Sequence, residues 1–183
     1  MKTIKRRELI GRSMGVSVIA ESASAYPKQT NSLIFIDGKP FMTSYSVFQE
    51  MLLYPPLLKW VDIIVSKISF KKNTVSSAYH KEADDESAEG YLKTFKIKNS
   101  GSSIFRMFAD IGHSKINDSI INSLPKLITW GKHDNWIPIQ VGSKYFNKPQ
   151  TTTVLIDNSG HCPMKTHYNE LNHAITYFIS NLD

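Results

Sequence analysis

The sequence predicts an α/β fold built on a mostly parallel sheet, and three observations carry that expectation. First, the short apolar runs Leu33-Ile34-Phe35-Ile36, Leu127-Ile128-Thr129-Trp130-Gly131 and Thr153-Val154-Leu155-Ile156-Asp157 lack the alternation of a half-exposed strand. A strand covered by helices on both faces reads that way. Second, the pentapeptide Gly11-Arg12-Ser13-Met14-Gly15 joins the apolar pair Leu9-Ile10 to a helix-like run rich in small residues. Third, Leu171, Ala174, Ile175, Phe178, Ile179 and Leu182 recur at helical spacing, which predicts an amphipathic helix over 167–181 covering one face of the sheet.

Taken in order, the chain opens on the charged stretch Lys5-Arg6-Arg7-Glu8. Charges are costly in a strand buried on both faces, so the first eight residues are expected to be irregular. The basic start, the apolar residues 14–20 and the Ala23-Ser24-Ala25 pattern imitate a secretory signal, but Glu8 and Arg12 interrupt the apolar core that a signal needs, and the chain is expected to be cytoplasmic. A strand, a sharp turn at Ser13 and a helix follow. The helix runs through Ala20, Ala23 and Ala25 and stops at Tyr26-Pro27, because proline cannot continue it. The strand at 33–36 is closed by Asp37-Gly38.

Residues 39–122 look helical and loop-rich. Leu57, Trp60, Val61, Ile64, Val65 and Ile68 predict an amphipathic helix with Pro56 near its start, and 87–95 and 102–111 predict two shorter helices parted by Asn99-Ser100-Gly101. The acidic cluster Glu82, Asp84, Asp85, Glu86 and Glu89 is contiguous and lysine-flanked, so it reads as a solvated loop and helix N-terminus rather than a metal site.

At the glycine-flanked Ser13, at the Lys132-His133-Asp134-Asn135-Trp136-Ile137-Pro138 segment after the second apolar run, and at Ser159-Gly160-His161-Cys162-Pro163 after the third, the chain resembles the α/β-hydrolase superfamily, in its serine esterase and lipase-like branch. The order Ser, Asp, His is the order which that fold uses. The resemblance covers residues 9–183 and implies a truncated α/β-hydrolase fold: a core from 1–38 and 123–183, with 39–122 inserted as a helical cap. It implies Ser13 as nucleophile, His161 as proton shuttle and Asp134 as the acid, with the Met14 backbone N–H as one oxyanion donor and Asp37 as the alternative acid. A serine hydroxyl is a poor nucleophile unless a base takes its proton, and the base needs a carboxylate to fix its tautomer.

The substrate class implied is a small-molecule carboxylic ester or related acyl compound, with no cofactor and no metal. Arg12 differs from the small or polar residues expected beside the nucleophile, His133, His167 and His173 are expected to be exposed, and Cys162 reads as a small filler beside the histidine. The superfamily places several strands and an H-G oxyanion motif before the elbow, and nothing here matches them. Two readings follow: a hydrolase whose missing strands come from a separate polypeptide or a different start, or a catalytically inactive remnant. The first ten residues leave the elbow strand at a sheet edge, so this chain alone is expected to be a weak enzyme that self-associates.

Composition bounds the rest. The chain has 183 residues, 41% hydrophobic, enough for one sizeable core. Its net charge of +6 comes from scattered lysines without an aromatic-interleaved basic motif, so no nucleic-acid partner is expected. A single cysteine excludes an internal disulfide, and no apolar run approaches the ~20 residues of a membrane span.

Overall fold

The computed structural model describes residues 6–40, 60, 63, 72–112 and 115–182. They fall into two compact units, one comprising 1–41, 78–80 and 115–183, the other 42–77 and 81–114. Beyond the stretches 1–38 and 123–183, the first unit therefore takes in residues 39–41, 78–80 and 115–122.

The first unit is a four-stranded sheet in the order β1 (Arg7–Arg12), β2 (Thr30–Ile36), β3 (Lys126–Gly131), β4 (Thr151–Ile156), every pair parallel. Sheet order equals chain order, so each connection crosses over one face. α1 (Gly15–Ala25) makes the first crossover and α5 (Asp118–Ser123) precedes β3. α6 (Ile139–Phe146) lies between β3 and β4, and α7 (Pro163–Thr166) and α8 (Tyr168–Ser180) close the chain.

The period of two along the strands sorts the apolar runs onto two cores. Leu33 and Phe35 of β2 and Ile128 and Trp130 of β3 pack with Val16, Ala20 and Ala23 of α1 and Ile121 of α5. Ile34, Ile36, Leu127 and Ile156 pack on the opposite face with Leu171, Ala174 and Phe178 of α8. Both faces of β2 and β3 are covered, which is why their sequences show no polar alternation. Lys126 enters a buried strand position by carrying its ammonium to the carbonyl of Pro149 at 2.6 Å. Burial without a carboxylate partner lowers its pKa to about 8.

The first residues differ from the expectation. Arg7 and Glu8 belong to β1 rather than to an irregular start, and they are exposed, as is half of Ile10. β1 is an edge strand, where charge stays in water and also blunts the open edge. α1 ends at Ala25 as Tyr26-Pro27 dictates, and Pro27–Gln29 forms one 3-10 turn before β2.

In the second unit, α3 (Asp85–Phe95) starts two residues before the expected helix, because Asp84 caps it: one carboxylate oxygen accepts from Ser87 N at 2.7 Å and the other from Ser87 Oγ at 2.8 Å. The acidic cluster is thus a helix start, and no metal-holding group occurs among the described residues. α4 (Ser100–Gly112) brackets the second expected helix. α2 (Lys72–Tyr79), absent from the sequence reading, bridges the two units along the chain. The expected helix beginning near Pro56 lies outside the described residues, apart from Trp60 and Ile63. Among the described residues no helix is long and apolar enough to cross a membrane.

Candidate active site

The site collects at the ends of the strands, and each side chain comes from a different strand-to-helix connection. Ser13 sits between β1 and α1 at φ 52, a left-handed conformation that costs a non-glycine residue of order 1 kcal/mol or more. Its neighbours hold it there. Ser13 N donates to Ile36 O at 2.9 Å, and Ser13 O accepts from Val16 N at 3.1 Å. A Cβ on Gly11 would stand 2.5 Å from Gly15 O, and one on Gly38 would collide with Ser13 O. The two glycines let the turn close on itself and on the end of β2. Among the described residues the Met14 N–H donates to no protein group.

The second component is a hydrogen-bonded pair that the sequence could only suggest by order. After β3 the chain turns at Asp134, whose Oδ1 accepts from Trp136 N at 2.8 Å and Ile137 N at 2.9 Å. Its Oδ2 lies 2.7 Å from Nδ1 of His161, in the connection after β4. Both side chains are essentially inaccessible, at 0% for the aspartate and 2% for the histidine. A carboxylate can only accept, so the imidazole Nδ1 carries the hydrogen and Nε2 is left as the basic nitrogen. Further backbone bonds tie the two connections together: His133 N to Ser159 O at 2.9 Å and Lys132 N to Ile156 O at 3.0 Å. Lys132 also holds Asp157 at 2.6 Å, which keeps that exposed carboxyl below its ordinary pKa.

Ser13 Oγ makes no hydrogen bond with the His161 ring among the described residues. Asp37, the alternative acid, does not reach His161 either. It is fully buried with Oδ1 accepting from Gly131 N at 2.7 Å, and Oδ2 has no partner among the described residues. Burial raises its pKa to about 8, against the Gly131 N–H, with nearby Asp134 adding to the rise and Arg12 opposing it.

Asp37 therefore stays protonated in the fold over a range where the unfolded chain, titrating near 3.8, has lost its proton. The folded state binds the extra proton, so the contribution of Asp37 to stability is full below about pH 4, is lost as pH rises toward about 8 and then levels off, at no more than about 1.4 kcal/mol per pH unit. Asp37→Asn keeps an acceptor for Gly131 N and removes the titration. Thermal unfolding should show this variant gaining on the parent progressively between pH 5 and 8. Parallel pH profiles would contradict the burial argument.

Two residues near the pair were not identified from sequence as parts of the site. The Trp136 ring stacks on His161, with centroids 5.4 Å apart and planes at 28°. Its sequence signal was an aromatic two residues after the acid. Arg12 spans to the histidine connection, donating from Nε and Nη2 to His161 O at 3.2 and 3.0 Å and from Nη2 to Cys162 Sγ at 2.8 Å. Cys162 is buried, consistent with a packed position beside His161. His133 and His173 are exposed, whereas His167 is half-buried, its Nδ1 2.9 Å from Thr166 Oγ1. His133 stacks on His80 with centroids at 4.2 Å.

A parallel sheet with crossover helices and a serine elbow at its edge defines an α/β-hydrolase fold, present here in partial form. Among solved structures the chain is similar to a thermophilic esterase from Thermogutta terrifontis, with a TM-score of 0.72 at 17% identity over 97% of this chain and 66% of the esterase. It is similar to an α/β hydrolase enzyme from a Medee basin deep-sea metagenome library, with a TM-score of 0.71 at 14% identity over 98% of this chain and 67% of that one. It is also similar to a meta-cleavage product hydrolase from Pseudomonas fluorescens, with a TM-score of 0.70 at 16% identity over 98% and 66%. The chain thus spans about two-thirds of the length of these structures. No protein-family model and no curated protein matches the sequence.

Proposed function

We propose that this chain is a serine hydrolase acting on carboxylic esters or related small acyl compounds. The single observation that carries the reading is the buried 2.7 Å pair of His161 Nδ1 and Asp134 Oδ2, at the same strand ends as the strained Ser13 elbow. A buried, oriented imidazole with a free Nε2 is what an activated serine requires. In this reading Nε2 of His161 takes the Ser13 proton as Oγ attacks the acyl carbon. Asp134 stabilises the imidazolium that forms, and the Met14 N–H receives the developing oxyanion. His161 then passes the proton to the departing alcohol oxygen, and water repeats the cycle on the acyl-serine. The thermophilic esterase among the structural neighbours supports the acyl class by analogy of fold. The second unit, inserted in the chain between β2 and β3, is the candidate for the segment that selects substrates.

The test is hydrolysis of p-nitrophenyl esters of two- to eight-carbon acids by the purified chain. The reading expects turnover above that of Ser13→Ala for the shorter members. Equal rates for the two proteins at every acyl length would overturn it.

A further inference from the structure

The elbow and the histidine connection come from opposite edges of the sheet: Ser13 follows β1, and His161 follows β4, with β2 and β3 between them. Sheet geometry alone therefore does not fix their separation. Neighbouring parallel strands lie about 4.8 Å apart, so a small slide or splay in any one ladder accumulates across three. A nucleophile and its base, however, tolerate little, since a displacement of ~1 Å costs ~100-fold in rate.

We infer that Arg12 is a positioning residue that ties the two edges together and sets where His161 stands relative to Ser13. The inference rests on the hydrolase reading above. Arg12 is the last residue of β1 and the direct neighbour of Ser13, and its guanidinium makes the only described side-chain link between the elbow and the histidine turn. Nε and Nη2 both donate to the carbonyl oxygen of His161 itself, which accepts no other hydrogen bond among the described residues. The turn is already pinned on both sides. Ser159 O accepts from His133 N, and Cys162 O accepts from Lys165 N, Thr166 N and Thr166 Oγ1. Between these two anchored points lies the peptide of His161, and that is where Arg12 binds. The ring is held at Nδ1 by Asp134 and the backbone by Arg12, so both ends of the residue are anchored and Nε2 is left with little freedom to swing.

The chemistry of the contact selects arginine. One planar fork spans the carbonyl of His161 and the sulfur of Cys162, which lies 2.8 Å from Nη2 and is fully buried. A lysine ammonium carries three donors on a flexible stem, but it cannot reproduce the rigid, coplanar pair of Nε and Nη2 donors that closes on the His161 carbonyl. The reason that a large cation occupies a position expected to hold a small or polar residue is therefore local. It acts on the histidine turn and not on the substrate.

The experiment uses Arg12→Ala and, as a milder change, Arg12→Lys, in the full chain with its single cysteine. Removal of the guanidinium should lower kcat for neutral p-nitrophenyl esters ~10- to 100-fold with KM nearly unchanged. It should also speed modification of the Cys162 thiol by Ellman's reagent on the order of tenfold, as the turn opens more often. Millimolar guanidinium should restore both properties to Arg12→Ala, which a merely destabilised protein would not show. Arg12→Lys should fall between the two and decides the matter if the alanine variant does not fold. Thiol reactivity and kcat within twofold of the parent in the lysine variant, or in the alanine variant without guanidinium, would overturn the inference. So would a raised KM confined to anionic esters with kcat intact, which would assign Arg12 to substrate binding. If the parent chain hydrolyses nothing, the hydrolase reading falls by itself, and the thiol measurement and its guanidinium rescue still decide whether Arg12 holds the turn.

Discussion

Ser13→Ala and His161→Ala are each expected to abolish acyl-ester hydrolysis to within the residue left by binding and the oxyanion donor, a loss on the order of 10³- to 10⁶-fold in kcat. The size follows from the proposed division of labour, in which the Ser13 hydroxyl supplies the attacking atom and His161 Nε2 the base that makes it attack. The serine change should be nearly silent in stability, because Ser13 Oγ holds no protein partner among the described residues and the strained φ of 52 belongs to the backbone. A surface-like change of that kind stays within about 0.5 kcal/mol. The histidine change removes a buried side chain and strands the Asp134 carboxylate beside it, so a loss of stability should accompany the loss of rate. The double variant should be no slower than the worse single one, since the two act as a unit. Steady-state kinetics on all three, with thermal melts as the folding control, checks this. A Ser13→Ala protein that keeps its rate would remove the elbow from the mechanism.

Asp134→Asn should lower kcat by ~10⁴-fold while Asp37→Asn leaves it nearly unchanged. The amide at 134 can keep Oδ1 on the Trp136 and Ile137 N–H groups, which places its NH₂ where Oδ2 meets His161 Nδ1. A donor now faces Nδ1, the imidazole adopts the other tautomer with hydrogen on Nε2, and that nitrogen no longer accepts a proton from Ser13. The fold survives and the base does not. Asp37 bonds to Gly131 N and not to His161, so its amide changes the pH dependence of stability rather than the rate. A large rate loss in Asp37→Asn alone would move the acid's role to that residue.

Several parts of the molecule were legible in the sequence because their physical cause is local. β2 and β3 read as unbroken apolar runs because each is covered on both faces, and Tyr26-Pro27 marks the end of α1 because proline lacks the N–H that a helix needs. The candidates Ser13, Asp134 and His161 stood out in the sequence by their order alone. Their geometry was not legible, because a 2.7 Å bond between residues 134 and 161 depends on how β3 and β4 pair. Arg7 and Glu8 were misjudged because their charges were weighed against a strand buried on both faces, although an edge position for the elbow strand was itself expected; at an edge charged residues pair with a neighbour without penalty. Lys126 sits inside a strand because its stem reaches Pro149 O, an acceptor that lies elsewhere in the chain. Arg12 stood out in the sequence only as an unexpected residue beside the nucleophile, since its partners are 149 and 150 positions away.

The most direct test of the nucleophile assignment is covalent labelling with a fluorophosphonate, followed by mass spectrometry of the labelled peptide. The account predicts slow accumulation of one label on Ser13, abolished in Ser13→Ala and strongly reduced in His161→Ala. A label on another residue, or labelling no greater in the parent than in Ser13→Ala, would contradict it.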